Sequence, residues 1–234
     1  METSTLKEDE IFQIAIDGPA ASGKGTVARM LAKKFGCMCL DTGSLYRGIT
    51  IHFLNHNVDL ADEDSITEAI NNIDLRVDCV NGCTLIFLDG ENITEKLHDL
   101  EVSEHGWKVA RISRIREKVR NIQYETAKKG TLVCEGRDIT SVVFPNAKVK
   151  FYLTASLKSR AKRRFLQEVK IEPTITLEQV KQGIYERDEA DMSRVESPLI
   201  RVKDAIIIDC SRIKADKVVK KMEKAIKKKL HKKV

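Results

Sequence analysis

The chain has 234 residues, a length that one hydrophobic core with insertions can fill. Its 42% apolar residues are ordinary for a globular protein, and no stretch approaches the roughly 18 uninterrupted apolar residues that a bilayer-spanning helix needs. The net charge of +6 admits a polyanionic partner without requiring one, and the N-terminal METSTLKEDE is polar and acidic, unlike a secretory leader, so the expected location is the cytoplasm.

The first apolar run, Ile11 to Ile16, reads as a strand. It breaks at Asp17 into GPAASGKGT and resumes as a helical pattern toward Leu31 and Phe35. Strand, glycine-rich loop and helix in that order aim backbone N–H groups and a helix N-terminus at an anion, while Lys24 reaches the outer phosphates of a nucleotide. Lys24 is expected to face solvent. Gly25 stands where the general phosphate-loop pattern has Ser or Thr, with Thr26 one place later, so Mg²⁺ is expected to be carried by phosphates and water.

Cys37 to Leu40 reads as a second strand, followed by DTGSLYR, Asp41 to Arg47. Within residues 57–105, two apolar runs, Asp74 to Val80 and Cys83 to Leu88, flank Asn81-Gly82, a strong signal for a two-residue hairpin. A second turn signal, Asp89-Gly90, follows. A small antiparallel unit is expected there. Thr131 to Cys134 reads as a third strand, followed by EGRD, Glu135 to Asp138. Ligands of parallel sheets sit beyond the carboxyl ends of the strands, so Arg47 and Arg137 are expected to converge on a second phosphate group opposite Lys24. The competing reading pairs them locally with Asp41 and Asp138.

Val149 to Leu153 forms a fourth strand in this reading, and residues 156–194 form a charged helical flap interrupted at Pro173. There Arg160, Arg163, Arg187 and Arg194 supply the positive groups of a phosphoryl-transfer lid. Ala205 to Ile208 is the fifth strand, and Val218, Met222, Ile226 and Leu230 fall on one stripe of a C-terminal helix that docks by that stripe and leaves its lysines in water. The cysteines, Cys37, Cys39, Cys79, Cys83, Cys134 and Cys210, lack CxxC pairs or nearby histidines and read as buried thiols. Five strands alternating with helices describe an α/β fold. The guanine-reading NKxD pattern is absent, which weighs against a switch GTPase.

Taken together, these segments resemble the bacterial cytidylate kinase family of nucleoside monophosphate kinases. IDGPAASGKGT is similar to the family's IDGPxGxGKGT, LDTGSLYR to LDTGxxYR, EGRDITSVVFPNA to DGRDIGTVVFPDA and ERDEADMSR to RDxxDxxR. The resemblance implies a five-stranded parallel sheet wrapped by helices, with residues 11–56, 106–155 and 195–234 as the phosphate-loop core of a single kinase domain spanning 1–234. It makes 57–105 a monophosphate-binding antiparallel insertion and 156–194 a helical lid. It implies transfer of the γ-phosphoryl group of ATP to CMP or dCMP, with Mg²⁺ carried on ATP.

The same resemblance places Gly18, Pro19, Ala20, Ala21, Ser22, Gly23, Lys24, Gly25, Thr26 and Arg163 on the ATP phosphates, and Arg47, Arg137 and Arg187 on the CMP phosphate. Thr42, Asp138 and Asp191 fall to the sugar, Arg116 and Arg194 to cytosine. Lys24, Arg137, Arg163 and Arg187 carry catalysis by neutralising charge, and no residue of the protein binds a metal directly. Departures from the pattern are Ala21 for glycine, Glu135 for aspartate, Thr140 for glycine and Ser113 for proline. Trp107 stands in place of a base-reading serine and is expected in the core, with Ser103 one turn before it. Other readings are a kinase for UMP or AMP, and a non-catalytic nucleotide-dependent protein that grips RNA through the basic C-terminal helix. A monomer without membrane or nucleic-acid partners is expected.

Overall fold

The computed structural model describes residues 11–231; the acidic N-terminal segment and residues 232–234 lie outside the described residues. In chain order the elements are β1 (Gln13–Asp17), α1 (Lys24–Phe35), β2 (Met38–Asp41), α2 (Thr42–Asn55), α3 (Glu63–Asn72), β3 (Leu75–Val80), β4 (Cys83–Leu88) and β5 (Glu91–Asn92). There follow α4 (Leu100–Val109), α5 (Ser113–Lys128), β6 (Leu132–Gly136), β7 (Val149–Thr154), α6 (Leu157–Glu168), α7 (Leu177–Met192), β8 (Ile206–Asp209) and α8 (Ala215–His231).

β1, β2, β6, β7 and β8 form one parallel sheet in the order β2-β6-β1-β7-β8. The central position of β1 explains its composition: Ile14, Ala15 and Ile16 are fully buried because both faces are covered. β8 corrects the simple expectation of doubly buried strands. It is an edge strand, and Ile207 is about half exposed while Ile208 packs inward. On one face Val27, Leu31 and Phe35 of α1 pack with α8 against Ile14 and Phe151. On the other, Leu45 and Ile49 of α2 and Ile115 and Val119 of α5 meet the apolar side of the small sheet through Ile86.

That small sheet, β3-β4-β5, is antiparallel. Asn81 and Gly82 both take positive φ, 51° and 75°, the backbone of a hairpin turn whose twist matches its strands. Gly82 is also needed for close approach: a Cβ there would lie 3.0 Å from the Lys33 amide nitrogen and 3.1 Å from the Arg29 carbonyl oxygen of α1. The hairpin is thereby held against the helix that follows the phosphate loop.

The six cysteines are all free thiols, but only Cys39, Cys134 and Cys210 are buried; Cys37 and Cys79 are half-buried, and Cys83, just after the turn, is exposed. No described helix is long and apolar enough to cross a membrane. Val218, Met222 and Ile226 of α8 are buried against α1, and Glu223 accepts from Lys34 of α1 and Lys227. Met222→Ala should cost about 2–5 kcal/mol of stability, read by urea unfolding, because the fully buried side chain leaves a cavity at this helix contact.

Candidate active site

The carboxyl ends of β1, β2 and β6 open into a cleft of about 1300 Å³, walled by the phosphate loop, the start of α2, α4 and the pair α6 and α7. The loop begins with a glycine that nothing else can replace. At Gly18 the φ is 154°, and a Cβ would sit 2.0 Å from the Leu153 carbonyl oxygen of β7. Ala21 takes φ 54° and Gly23 φ 94°, so alanine is strained into the left-handed region at a cost of about 1–2 kcal/mol where the resembled pattern has glycine.

The loop is clamped from outside. Asp188 of α7 accepts the Ala20 N–H at 2.9 Å and a guanidinium hydrogen of Arg160 at 2.5 Å, and Arg160 donates in turn to the carbonyls of Ala20 and Ala155. Both side chains are buried. Arg160 is therefore a strut between α6, α7 and the loop, which corrects its expected role as a lid cation free to meet phosphate. Asp17, at the end of β1, performs the same service for the turn at residues 139–143. It accepts from the Ile139 and Thr140 amides at 2.9 and 2.7 Å and from the Thr140 hydroxyl at 2.6 Å. Burial, working against these bonds, raises its pKa. The hydroxyl of Thr140 thus has a structural partner that a glycine could not supply.

Lys24, expected in solvent, is only 5% exposed and donates to the Pro19 carbonyl at 2.9 Å. It opens α1, where the chain turns back over the sheet, so the loop folds around its ammonium. Burial, reinforced by the nearby Arg137 cation, brings its pKa down to about 7. Beside Gly25, Glu135 and Asp41 form a carboxylate pair joined by a hydrogen bond. Burial and then the Asp41 charge raise Glu135 to about 7, whereas at Asp41 burial is outweighed only by Arg47 together with hydrogen bonds from Glu135 and Ser44 and the Arg29 charge, which lower its pKa.

The arginines line the cleft, and Arg47, Arg116, Arg137 and Arg194 are each held by a carboxylate. Asp191 accepts from Arg137 Nε at 2.7 Å and from Arg194. Burial opposes the charge on Asp191, but Arg137, Arg194 and Arg187 outweigh it and lower its pKa. The local pairing of Arg137 with Asp138 does not occur; Asp138 instead pairs with buried Arg116, which also donates to the Ala110 carbonyl at 3.0 Å. Arg47 does pair locally, with Asp41 at 3.4 Å, while its buried Nε has no partner.

Arg187 reaches the cleft mouth, and desolvation together with the Arg137 charge lowers it to about 10. Arg163 donates to the Cys210 carbonyl and, at 3.5 Å, to that of Ser22. Thr42 is buried under the cleft floor, its hydroxyl accepting from Gln123 at 2.9 Å. Trp107, expected in the core, is 41% exposed and lines the cleft with Ser103.

Sequence reasoning missed the supporting layer: Asp17, Glu135, Asp188 and Gln123. Asp17 and Glu135 carried one signal, a carboxylate at the carboxyl end of a parallel strand. Asp188 and Gln123 sit in charged helical stretches that look like solvated faces. Arg160→Met should lose about 3–5 kcal/mol in urea unfolding, because the Asp188 charge is left buried without its cation.

The fold recurs in solved structures. A TM-score of 0.54 at 13% identity relates the chain to an uncharacterized protein from Eubacterium ventriosum, across 94% of this chain and 99% of that one. A score of 0.50 at 16% identity relates it to TT1252 from Thermus thermophilus, across 95% and 99%. In sequence the chain is 39% identical over 211 residues to the cytidylate kinase of Caldicellulosiruptor bescii, covering 90% of this chain and 93% of the relative. With the cytidylate kinase of Pelotomaculum thermopropionicum it shares 41% over 209 residues, 88% and 92% of the two chains. The family model for cytidylate kinase matches residues 14–228, and on this match, together with those relatives, the chain belongs to the cytidylate kinase family.

Proposed function

We propose that the chain transfers the γ-phosphoryl group of ATP to CMP or dCMP, giving ADP and CDP or dCDP. The observation that carries this reading is one cleft lined both by the clamped glycine-rich loop with Lys24 and by Arg47, Arg137 and Arg187, a set of donors suited to two phosphate groups. In this reading the backbone N–H groups of residues 18–26 and Arg163 hold the triphosphate. Arg47, Arg137 and Arg187 hold the acceptor's phosphate, Thr42, Asp138 and Asp191 its sugar, and Arg116 and Arg194 its base, whose O2 and N3 accept hydrogen bonds. Residues 156–194 act as the lid.

The acceptor oxygen is already largely ionised near neutral pH, so no general base is assigned. The work of the protein is to align two polyanions and neutralise the charge that spreads over the moving group. Mg²⁺ suits this site as a passenger on ATP. Among the described residues no three His, Cys, Asp or Glu side chains cluster as a cage, and Gly25 offers no hydroxyl. Mg²⁺ commonly keeps several waters and binds through substrate phosphates, where it supplies further charge neutralisation. Enclosure of the cleft by α6 and α7 excludes water from the transferring group.

ADP release should require CMP or dCMP as well as ATP and Mg²⁺, and the Lys24→Ala protein should show no turnover while melting within a few degrees of wild type. Turnover confined to UMP or AMP would overturn the acceptor assignment. Arg137→Ala should raise KM for CMP by about tenfold or more and leave KM for ATP nearly unchanged, since the lost charge-assisted bonds face the acceptor side. Lys24 carries a further expectation. Its pKa is held down to about 7 without nucleotide, and phosphate anions favour the charged ammonium and raise it again. ATP binding at pH 7 to 8 should therefore take up protons, seen as a calorimetric enthalpy that varies with the ionisation enthalpy of the buffer.

A further inference from the structure

One wall of the cleft has no part in the assignments above. On α4, Ser103 and Trp107 fall one turn apart and, with Ala110 and Arg111 just past its end, line the cleft, while Val102 and Val109 of the same helix are buried. Gly106 seats the helix closely on α2. A Cβ there would be 3.6 Å from both Arg47 Cγ and Thr50 Oγ1, so Trp107 follows directly after a contact with an arginine of the acceptor side. At the end of α4 stands Arg116, which donates to the Ala110 carbonyl at 3.0 Å and pairs with Asp138, and the Tyr46 ring centroid is 5.8 Å from its guanidinium carbon.

A tryptophan left 41% exposed on a helix that buries its valines is a large apolar surface without a cover. It is not bare. Lys108 Nζ and the Arg111 guanidinium carbon each lie 5.9 Å from the ring centroid, where the electron-rich face attracts cations. Such a face accepts equally well the π-face of a nucleobase, and stacking on it removes apolar area from water on both partners. A pyrimidine seated in this cleft has the indole for its face and Arg116, held at the end of α4, for its edge.

We propose that Trp107 is an acceptor-contact residue whose indole stacks on the pyrimidine of the nucleoside monophosphate, displacing a cation from over its ring. The inference rests on the acceptor reading given under Proposed function. It assigns Trp107 to holding the base, and the edge-specific choice of cytosine to Arg116. Stacking is indifferent to the pattern of hydrogen-bonding groups on the base edge.

Trp107 is the chain's single tryptophan, so its emission reports this contact alone. CMP titrated into the full-length protein should change the intrinsic fluorescence with the same saturation curve that calorimetry gives, whereas ATP alone should leave it nearly unchanged. Trp107→Ala should raise KM for CMP by about tenfold, the scale of one lost base–aromatic stack, with kcat and KM for ATP held. Trp107→Phe should recover most of the loss, and replacing Lys108 and Arg111 with Met, which removes the cations and keeps the ring, should leave KM for CMP unraised, which a purely structural clasp does not predict. CMP binding in calorimetry without an emission change, or an unchanged KM in Trp107→Ala, would overturn the stacking assignment and leave the kinase reading intact. Absence of CMP binding to the wild-type protein in calorimetry would overturn both.

Discussion

Asp191 sits between Arg137 and Arg194 and accepts a hydrogen bond from each, with Arg187 close enough to favour its charge as well. Without such carboxylates the cleft would gather guanidinium groups at one edge of a sheet with nothing to oppose their repulsion. Asp138 does the same for Arg116, Asp41 for Arg47 and Asp188 for Arg160. Each cation is thus pre-positioned by a partner whose cost of burial it offsets. The field of Arg137 lowers the pKa of both Arg187, which is exposed, and Lys24, where burial is the larger cause and brings it to about 7. A cleft in that state favours anions strongly, since an incoming phosphate relieves charge that the protein itself leaves only partly balanced.

The glycine-rich loop depends on this charge compensation at one remove. Its backbone is tight, with Gly18 pressed against β7 and Ala21 in the left-handed region, and such a segment persists only when its surroundings over-determine it. Those surroundings are Asp188 and Arg160, which grip both the N–H and the carbonyl of Ala20 from the α6–α7 pair. Residues of α6 and α7 therefore hold the loop in shape. The α6–α7 pair and the phosphate site are thus mechanically joined through Ala20.

The departures from the family pattern acquire physical meaning in this setting. Thr140 adds a hydroxyl bond to Asp17, and Glu135, longer by one methylene than aspartate, meets the Asp41 carboxylate in a hydrogen bond beside Gly25. Trp107 removes a hydroxyl from the cleft wall and supplies an aromatic face instead. None of these disturbs the sheet, because all three sit at or beyond strand ends or on the cleft side of a helix.

Much of the architecture was legible in the chain alone. The five apolar runs, the composition break after Asp17, the Asn81-Gly82 turn and the Val218–Met222–Ile226 stripe are local signals. Periodicity, glycine's access to positive φ and the need to cover an apolar face act over a few residues, and sequence order preserves them. The positions of Lys24, Arg47 and Arg137 at one sheet edge follow from the same local logic, since loops after parallel strands share an edge. Tertiary structure alone decided which acid holds which arginine, that Lys24 is buried, that Arg160 is a strut and that Trp107 faces the cleft. Asp191 and Arg137 are far apart in the chain, as are Asp188 and Ala20. Pairing and desolvation depend on distances of a few ångströms between such segments, and one-dimensional order carries no record of which of several nearby carboxylates comes within reach.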